Sequence, residues 1–363
     1  MKKRILFILH LPPPVHGAAM VGKYIHDSKL INEKFDCRYI NIAIANSLED
    51  IGHFKLKKII SIFALLKNVI FSVKDFKPNL VYVTPNAKGS AFYKEFLVVQ
   101  LLKIMRCKVV AHYHNKGVST KQDCWHYNLL YKKFFKDIKV ILLGKSLYND
   151  MKKYVKWDDV RICPNGIPNV SNTFITNDHN PPKLLFLSNL LISKGVFDLL
   201  DALKILKDKG CSFVCDFVGG ETAEIDAKRF SIELIKRDLE MSVAYCGIKY
   251  GDEKHREIGE CDIFVLPTHN DCFPLVLLEA MMHGKPCITT DEGAICDIVK
   301  DGVNGFIVQK KDCEELAQRI EELIKDDKLR KEIGNKGKDM FLQEFTLTAF
   351  ESRMYKILTE LCS

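Results

Sequence analysis

LLFLSNLLISKGVFDLLDAL, residues 184–203, decides the fold: a short apolar strand, a loop holding Lys194 and Gly195, and then a helix. A strand feeding a helix is half of a crossover unit, and parallel sheets are built from such units. Outward from that stretch the pattern repeats. Apolar strands are expected at 184–187, 213–218, 242–246, 263–266, 287–289 and 305–308. In the first half they are expected at 5–9, 38–42, 80–83, 108–112 and 140–143, with helix-like segments between. The chain therefore reads as α/β, with two doubly wound Rossmann-like domains. The polar, proline-bounded residues 171–182 read as the linker. At 363 residues, 47% apolar and 28% charged, the chain is long enough for two ordinary cores. Doubly wound sheets bind ligands at the carboxyl ends of their strands, so two facing sheets would enclose one in a cleft.

The richest chemistry follows the strand at 263–266. THNDCFPLVLLEAMMHGKP, residues 268–286, reads as a loop, a helix entered through Pro274 and a stop at Gly284. The backbone of Phe273, Pro274 and Leu275 opens that helix, and the free N–H groups of a positive helix end attract a pyrophosphate. Asp271 stands before the helix and Glu279 about two turns inside it, eight positions on. One can reach a sugar and the other a ribose on the same nucleotide-sugar. The spacing equally suits a helix-start aspartate and a solvated glutamate.

Three further landmarks occur in fixed order: PPPVHGAAM (12–20) after the first strand, VVAHYHN (109–115), and the 184–203 stretch itself. Together with 268–286 they resemble the retaining family-4 (group 1) glycosyltransferases of the GT-B architecture, in which an acid, seven intervening residues and a Glu frame the donor helix. CPNGIPN (163–169) and DEGAICDIVKDGVNGFIV (291–308) resemble the hinge-side segment and the loop and strand after that helix. The resemblance covers most of residues 1–345. It implies that Glu279 grips the ribose hydroxyls and Asp271 the donor sugar. Lys194 and the 273–275 helix start would offset the leaving diphosphate, and Gly17 and Ala18 would close over the phosphates. His114, with His112 as the alternative, would orient the sugar or shield developing positive charge. The base would sit near residues 247–250.

This chain departs from the family at two places. Asp271 replaces the usual Glu and is one methylene shorter. Ser188-Asn189 replaces a Gly-Arg pair, so Asn189 would donate a hydrogen bond to the diphosphate without neutralising charge. The resemblance further implies an acceptor domain at 1–170, a donor domain at 183–345, and a last helix in 346–363 crossing back to the first. Transfer would be metal-independent and cofactor-free, from a UDP- or GDP-linked sugar to a saccharide acceptor.

Charge is unevenly placed: residues 1–181 carry a net +16 and residues 182–363 a net −8. The first half is therefore expected to meet an anionic surface. Residues 54–78, FKLKKIISIFALLKNVIFSVKDFKP, are both basic and apolar, which favours a lipid leaflet over nucleic acid. The same helix could instead pack inside its domain, with Lys67 and Lys74 snorkelling outward. No module of nucleic-acid recognition is legible. A lipid-linked saccharide acceptor, a cytoplasmic location and peripheral contact with the inner face of the cell membrane follow as expectations.

The thirteen cysteines lie scattered without zinc spacing and read as free thiols in a reducing compartment. Cys211 and Cys215 are taken to share one face of a strand. Residues 311–338 read as a charged, solvated helix. A dehydrogenase is a poor alternative because neither PPPVHGAAM nor VGGETAEID (218–226) supplies a Gly-x-Gly-x-x-Gly turn. Two alternatives stay open: a sugar-nucleotide epimerase of the same architecture and a non-catalytic nucleotide-sugar binding protein.

Overall fold

The computed structural model describes residues 2–13, 17–42, 54–170 and 179–363, with the backbone alone for 54–59. Most of the expected linker, residues 171–178, lies outside these, as do Pro14, Val15 and His16 of the first landmark. The chain divides into two compact units, one formed by residues 1–165 together with 347–363 and the other by residues 166–346.

The first unit holds a six-stranded sheet in the order β2-β1-β3-β4-β5-β6, with every pairing parallel. Its strands are β1 (Arg4–Leu9), β2 (Asp36–Asn41), β3 (Leu80–Val83), β4 (Val109–Tyr113), β5 (Lys139–Leu142) and β6 (Val160–Ile162). Most of β1, β3, β4 and β5 is buried, as strands covered on both faces must be. Chain order reverses between β1 and β3, which makes the carboxyl ends of that pair the natural ligand crevice.

The Leu347–Cys362 helix completes this unit. Phe350, Met354, Leu358 and Leu361 are buried in one cluster with Ile5, Phe7, Ile25, Ile31 and Phe35. Arg161 Nε donates to Glu360 at 2.9 Å, tying the helix to the edge strand β6. The Phe54–Phe76 helix is buried only in part. Val69 and Val73 face inward, while Phe63 and Phe71 stand in solvent.

The second unit repeats the plan in the order β12-β11-β10-β7-β8-β9, again all parallel. Its strands are β7 (Lys183–Leu187), β8 (Val214–Val218), β9 (Val243–Tyr245), β10 (Ile263–Leu266), β11 (Cys287–Thr290) and β12 (Gly305–Val308). Phe186 stacks on Phe217 at 4.9 Å, and Phe217 meets Phe230 at the same distance, filling one face. Here the reversal lies between β7 and β10.

Two expectations are corrected. β8 begins at Val214, so Cys211 lies in the preceding turn and shares no strand face with Cys215. Residues 311–338 hold two helices, Cys313–Lys325 and Asp327–Met340, because the Asp326 carboxylate accepts the Leu329 N–H and starts a new helix there. Both are amphipathic and bury Leu316, Ile320, Leu323 and Ile333, so neither is a wholly solvated face. All thirteen cysteines are free thiols. No helix among the described residues is long and apolar enough to cross a membrane.

Candidate functional site

The loops leaving β7 and β10 are joined by backbone contact. After a single turn at Ile192–Lys194 the chain passes through Gly195, whose φ of +78° is left-handed. A Cβ there would stand 2.1 Å from the Pro267 carbonyl oxygen, so only glycine lets the two loops meet. The His269 N–H and the Thr268 hydroxyl both donate to Ser193 O, at 2.8 and 3.3 Å. The His269 ring pairs with Asp198 at the start of the next helix.

This junction brings the expected residues together. Lys194 Nζ donates to Asp271 Oδ2 at 2.6 Å and to Asn270 O at 3.2 Å. The pair is about four-fifths buried, at 20% and 18% side-chain exposure, so an arriving anion would share an ammonium already poised by its carboxylate. Behind them Ala294 N–H donates to Cys272 O at 2.8 Å. Gly293 packs so closely that a Cβ would lie 2.4 Å from Asp271 O.

Leu275–Met282 is a helix with Pro274 at its N-cap and, among the described residues, no side-chain cap on its first N–H groups. Those donors point from a rigid start, since Phe273 and Pro274 are buried and the Phe273 ring meets Phe345 at 6.2 Å. Glu279 lies one turn into the helix. Lys254 Nζ donates to its Oε1 at 2.6 Å, while its Oε2 is buried with no partner among the described residues. A buried carboxylate oxygen without a donor is costly, and a ligand hydroxyl would satisfy it. Beside this pair His255 and His283 bond at 3.2 Å; burial, with help from His255, pushes His283 down to about 4, and burial lowers His255 as well.

Asn189 is exposed, and its side-chain oxygen accepts the Gly220 N–H at 3.2 Å, tying the β7 loop to the loop after β8. Ile248 and Tyr250, in the segment expected near the base, are 50% and 67% exposed.

In the first unit His112, within β4, and His114, just after it, differ in burial. His112 is wholly inside the sheet, its Nδ1 2.5 Å from the Tyr82 hydroxyl, and burial holds its pKa well below the ordinary histidine value. His114 stands just past the end of the strand on the same face, ring centroids 4.1 Å apart. Gly17 and Ala18 open the Gly17–Asp27 helix. No described residue lies within 4 Å of a Cβ placed on Gly17. The close approach in this segment belongs to Gly22, where a Cβ would meet His10 O at 2.0 Å.

Sequence reading missed the pairs made across long separations. Lys254 reaches Glu279 across 25 positions, and His269 reaches Asp198 across 71. Another such group lies at the β1/β3 reversal, where His10 N–H and Nδ1 lie 3.3 and 3.2 Å from Thr84 Oγ1. Buried Glu95 accepts the Asn86 N–H at 2.5 Å there and fixes the loop after β3. A cavity of about 750 Å3 beside Lys2, Lys3, Arg4 and Asn79 opens at the amino ends of these strands. It lies at the edge opposite to the one where doubly wound sheets take ligands. Among the described residues no group of three or more His, Cys, Asp or Glu could hold a metal ion.

The second unit thus carries a Lys194–Asp271 pair just ahead of a helix N-terminus and, within that helix, Glu279, one of whose oxygens is buried with no partner among the described residues. It suits a ligand with a diphosphate flanked by hydroxyl-bearing rings. Residues 172–340 match the family model described as glycosyl transferases group 1. An uncharacterised glycosyltransferase of Methanocaldococcus jannaschii is 28% identical over 223 residues, 61% of this chain and 60% of that protein. An N,N'-diacetylbacillosaminyl-diphospho-undecaprenol alpha-1,3-N-acetylgalactosaminyltransferase of Campylobacter jejuni is 28% identical over 46% of this chain and 42% of its own. Both matches thus span less than two thirds of the relative's length. Anabaena HepE, solved in complex with UDP, shares the fold with TM-score 0.78 at 19% identity, covering 99% of this chain and 100% of that one. The α/β architecture of two parallel six-stranded sheets is that of the GT-B glycosyltransferases.

Proposed function

We propose, from a segment at 172–340 that belongs to the group 1 glycosyl transferases, that this protein moves a sugar from a nucleoside diphosphate sugar to a saccharide acceptor carried on a lipid. The product would enter a surface polysaccharide or glycoconjugate. The observation that carries this reading is the Lys194–Asp271 pair at the carboxyl ends of β7 and β10, just ahead of the 275–282 helix, in which Glu279 Oε2 is buried with no partner among the described residues. Lys194 and the N–H groups that open the 275–282 helix would hold the diphosphate and offset the charge that develops as it leaves. Asp271 would bind hydroxyls of the donor sugar, and Glu279 a ribose hydroxyl. Asn189, bonded to Gly220, would supply a neutral donor to the phosphates.

The remaining roles follow the resemblance. His114 would orient the sugar, Gly17 and Ala18 would lie over the phosphates, and transfer would retain anomeric configuration without a metal or other cofactor. The UDP bound by HepE favours a UDP-linked donor over a GDP-linked one, and the undecaprenol-linked acceptor in the Campylobacter relative's name favours a lipid carrier. The protein would then work at the cytoplasmic side of an anionic membrane as a peripheral protein.

Nucleotide diphosphate release from UDP-, GDP- and ADP-sugars, measured on the full chain with a chelator present, tests the reading. Release from one donor, undiminished by the chelator, is expected. A sugar altered while still attached to its nucleotide would make the protein an epimerase. Saturable binding without release, even with lipid-linked acceptors supplied, would make it a binding protein.

A further inference from the structure

The Phe54–Phe76 helix is apolar on both sides. Its inner side buries Val69, Val73 and Phe76, while a stripe at helical spacing carries Ile60, Phe63, Lys67, Phe71 and Lys74 into solvent. Phe63 is 67% exposed, and on the neighbouring Gly89–Ile104 helix Ile104 is 79% exposed. Between the two helices runs a groove of about 480 Å3, lined by Leu66, Ile70, Leu97 and Leu101 as well, with Lys67 and Gln100 its polar residues. A surface helix ordinarily turns its polar residues outward, so an apolar outer stripe beside an apolar groove marks a surface that is covered in use.

Charge indicates by what. Residues 54–76 hold five lysines against one acid, Asp75. On the far side of the groove Gln100 and Lys103 bond the carbonyls that end the Trp125–Phe135 helix, where Lys132, Lys133 and Lys136 are exposed. Lys67 lies along the patch with its ammonium 5.8 Å from the Phe71 ring centre, an apolar stem with a charged head. An apolar centre with a lysine rim fits a bilayer with acidic headgroups: the acyl boundary takes the rings and aliphatic groups, and phosphates take the ammoniums. A second copy of the chain would set this basic rim against itself across a two-fold axis. Nucleic acid would leave Phe63 and Ile104 uncovered.

We propose that the face formed by the 54–76 and 89–104 helices docks on an anionic lipid surface, with Phe63, Phe71, Leu97 and Ile104 inserted below the headgroups. The choice of a lipid surface draws on the reading above, in which the acceptor is carried on a lipid.

The test is sedimentation of the full chain with vesicles of phosphatidylglycerol and phosphatidylcholine, against phosphatidylcholine alone, at low and high salt. Binding to the anionic vesicles, weakened by salt, is expected. F63S/I104S should weaken it at least tenfold with unchanged melting temperature, and K67E/K74E should do the same at low salt. Native-like binding by F63S/I104S, equal binding to neutral vesicles, or no binding at low salt would each overturn the proposal. So would a dimer in light scattering that F63S/I104S splits while vesicle binding is absent. Release of nucleotide diphosphate from a soluble donor needs no vesicle, so F63S/I104S should retain it. Turnover without vesicle binding in the native chain removes the docking face alone, and vesicle binding without turnover removes the catalytic reading alone.

Discussion

Glu279→Ala should lower nucleotide diphosphate release from the preferred donor by about tenfold to a hundredfold, mostly through the donor KM. The estimate rests on one hydrogen bond to a charged acceptor, worth about 1.5–3 kcal/mol, with each 1.4 kcal/mol about tenfold. One bond and not two is counted because Oε1 is held by Lys254 at 2.6 Å, which leaves only Oε2 for a ribose hydroxyl. Lys254→Met isolates that arrangement. The carboxylate remains but loses the group that aims it, so KM should rise by roughly tenfold while kcat changes little. Donors lacking one ribose hydroxyl should lose most of their disadvantage in Glu279→Ala. A native KM in Glu279→Ala would remove Glu279 from the donor site, and one in Lys254→Met would remove the aiming role of Lys254.

Gly195→Ala should destabilise the 166–346 unit by about 2–5 kcal/mol, from a left-handed conformation costing an alanine about 1–2 kcal/mol and a displaced backbone contact costing about 1–3. The displaced contact is the Pro267 carbonyl, 2.1 Å from the new methyl. The melting transition of that unit should fall by roughly 10 °C. Gly210→Ala is the control. Its φ of +80° is nearly the same, but nothing lies within 4 Å of its Cβ position, so only the conformational part should appear. Equal shifts in the two variants would show that the β7 and β10 loops are not in contact as described. Because Lys194 precedes Gly195, donor turnover should fall with stability in Gly195→Ala and persist in Gly210→Ala.

Most strands were legible because a strand buried on both faces must be apolar throughout, as 263–266 and 80–83 are. β6 was not, since three residues, Val160–Ile162, are too few to show a pattern and Arg161 interrupts them. The break at Asp326 escaped notice because it lies within a run of charges that reads as continuous helix, and only its cap bond to Leu329 reveals the restart. In the site, Lys194 and Asp271 were legible from their places beside Gly195 and Pro274. Their 2.6 Å contact was not, because it depends on strand order, which sets β7 beside β10 although three helices and two strands separate them in the chain. Lys254 stayed hidden for the same reason. A lysine on an ordinary amphipathic helix acquires a partner only when that helix packs beside 275–282. Of the two histidines, burial and the Tyr82 bond mark His112 as part of the sheet, a distinction that alternation along one strand cannot make.

The Leu347–Cys362 helix has a consequence for how the protein is made. Its apolar residues fill the cluster around Ile5, Phe7 and Phe35, yet the ribosome reaches them only after all of residues 166–346. At about 5–20 residues per second, the first unit would wait roughly 10–40 s beyond its own synthesis for the piece that closes its core. During that interval the nascent chain carries an uncovered apolar face beside a finished sheet, the state that chaperones bind. The second unit, contiguous in sequence, can fold as soon as it has emerged, so the half synthesised first is completed last.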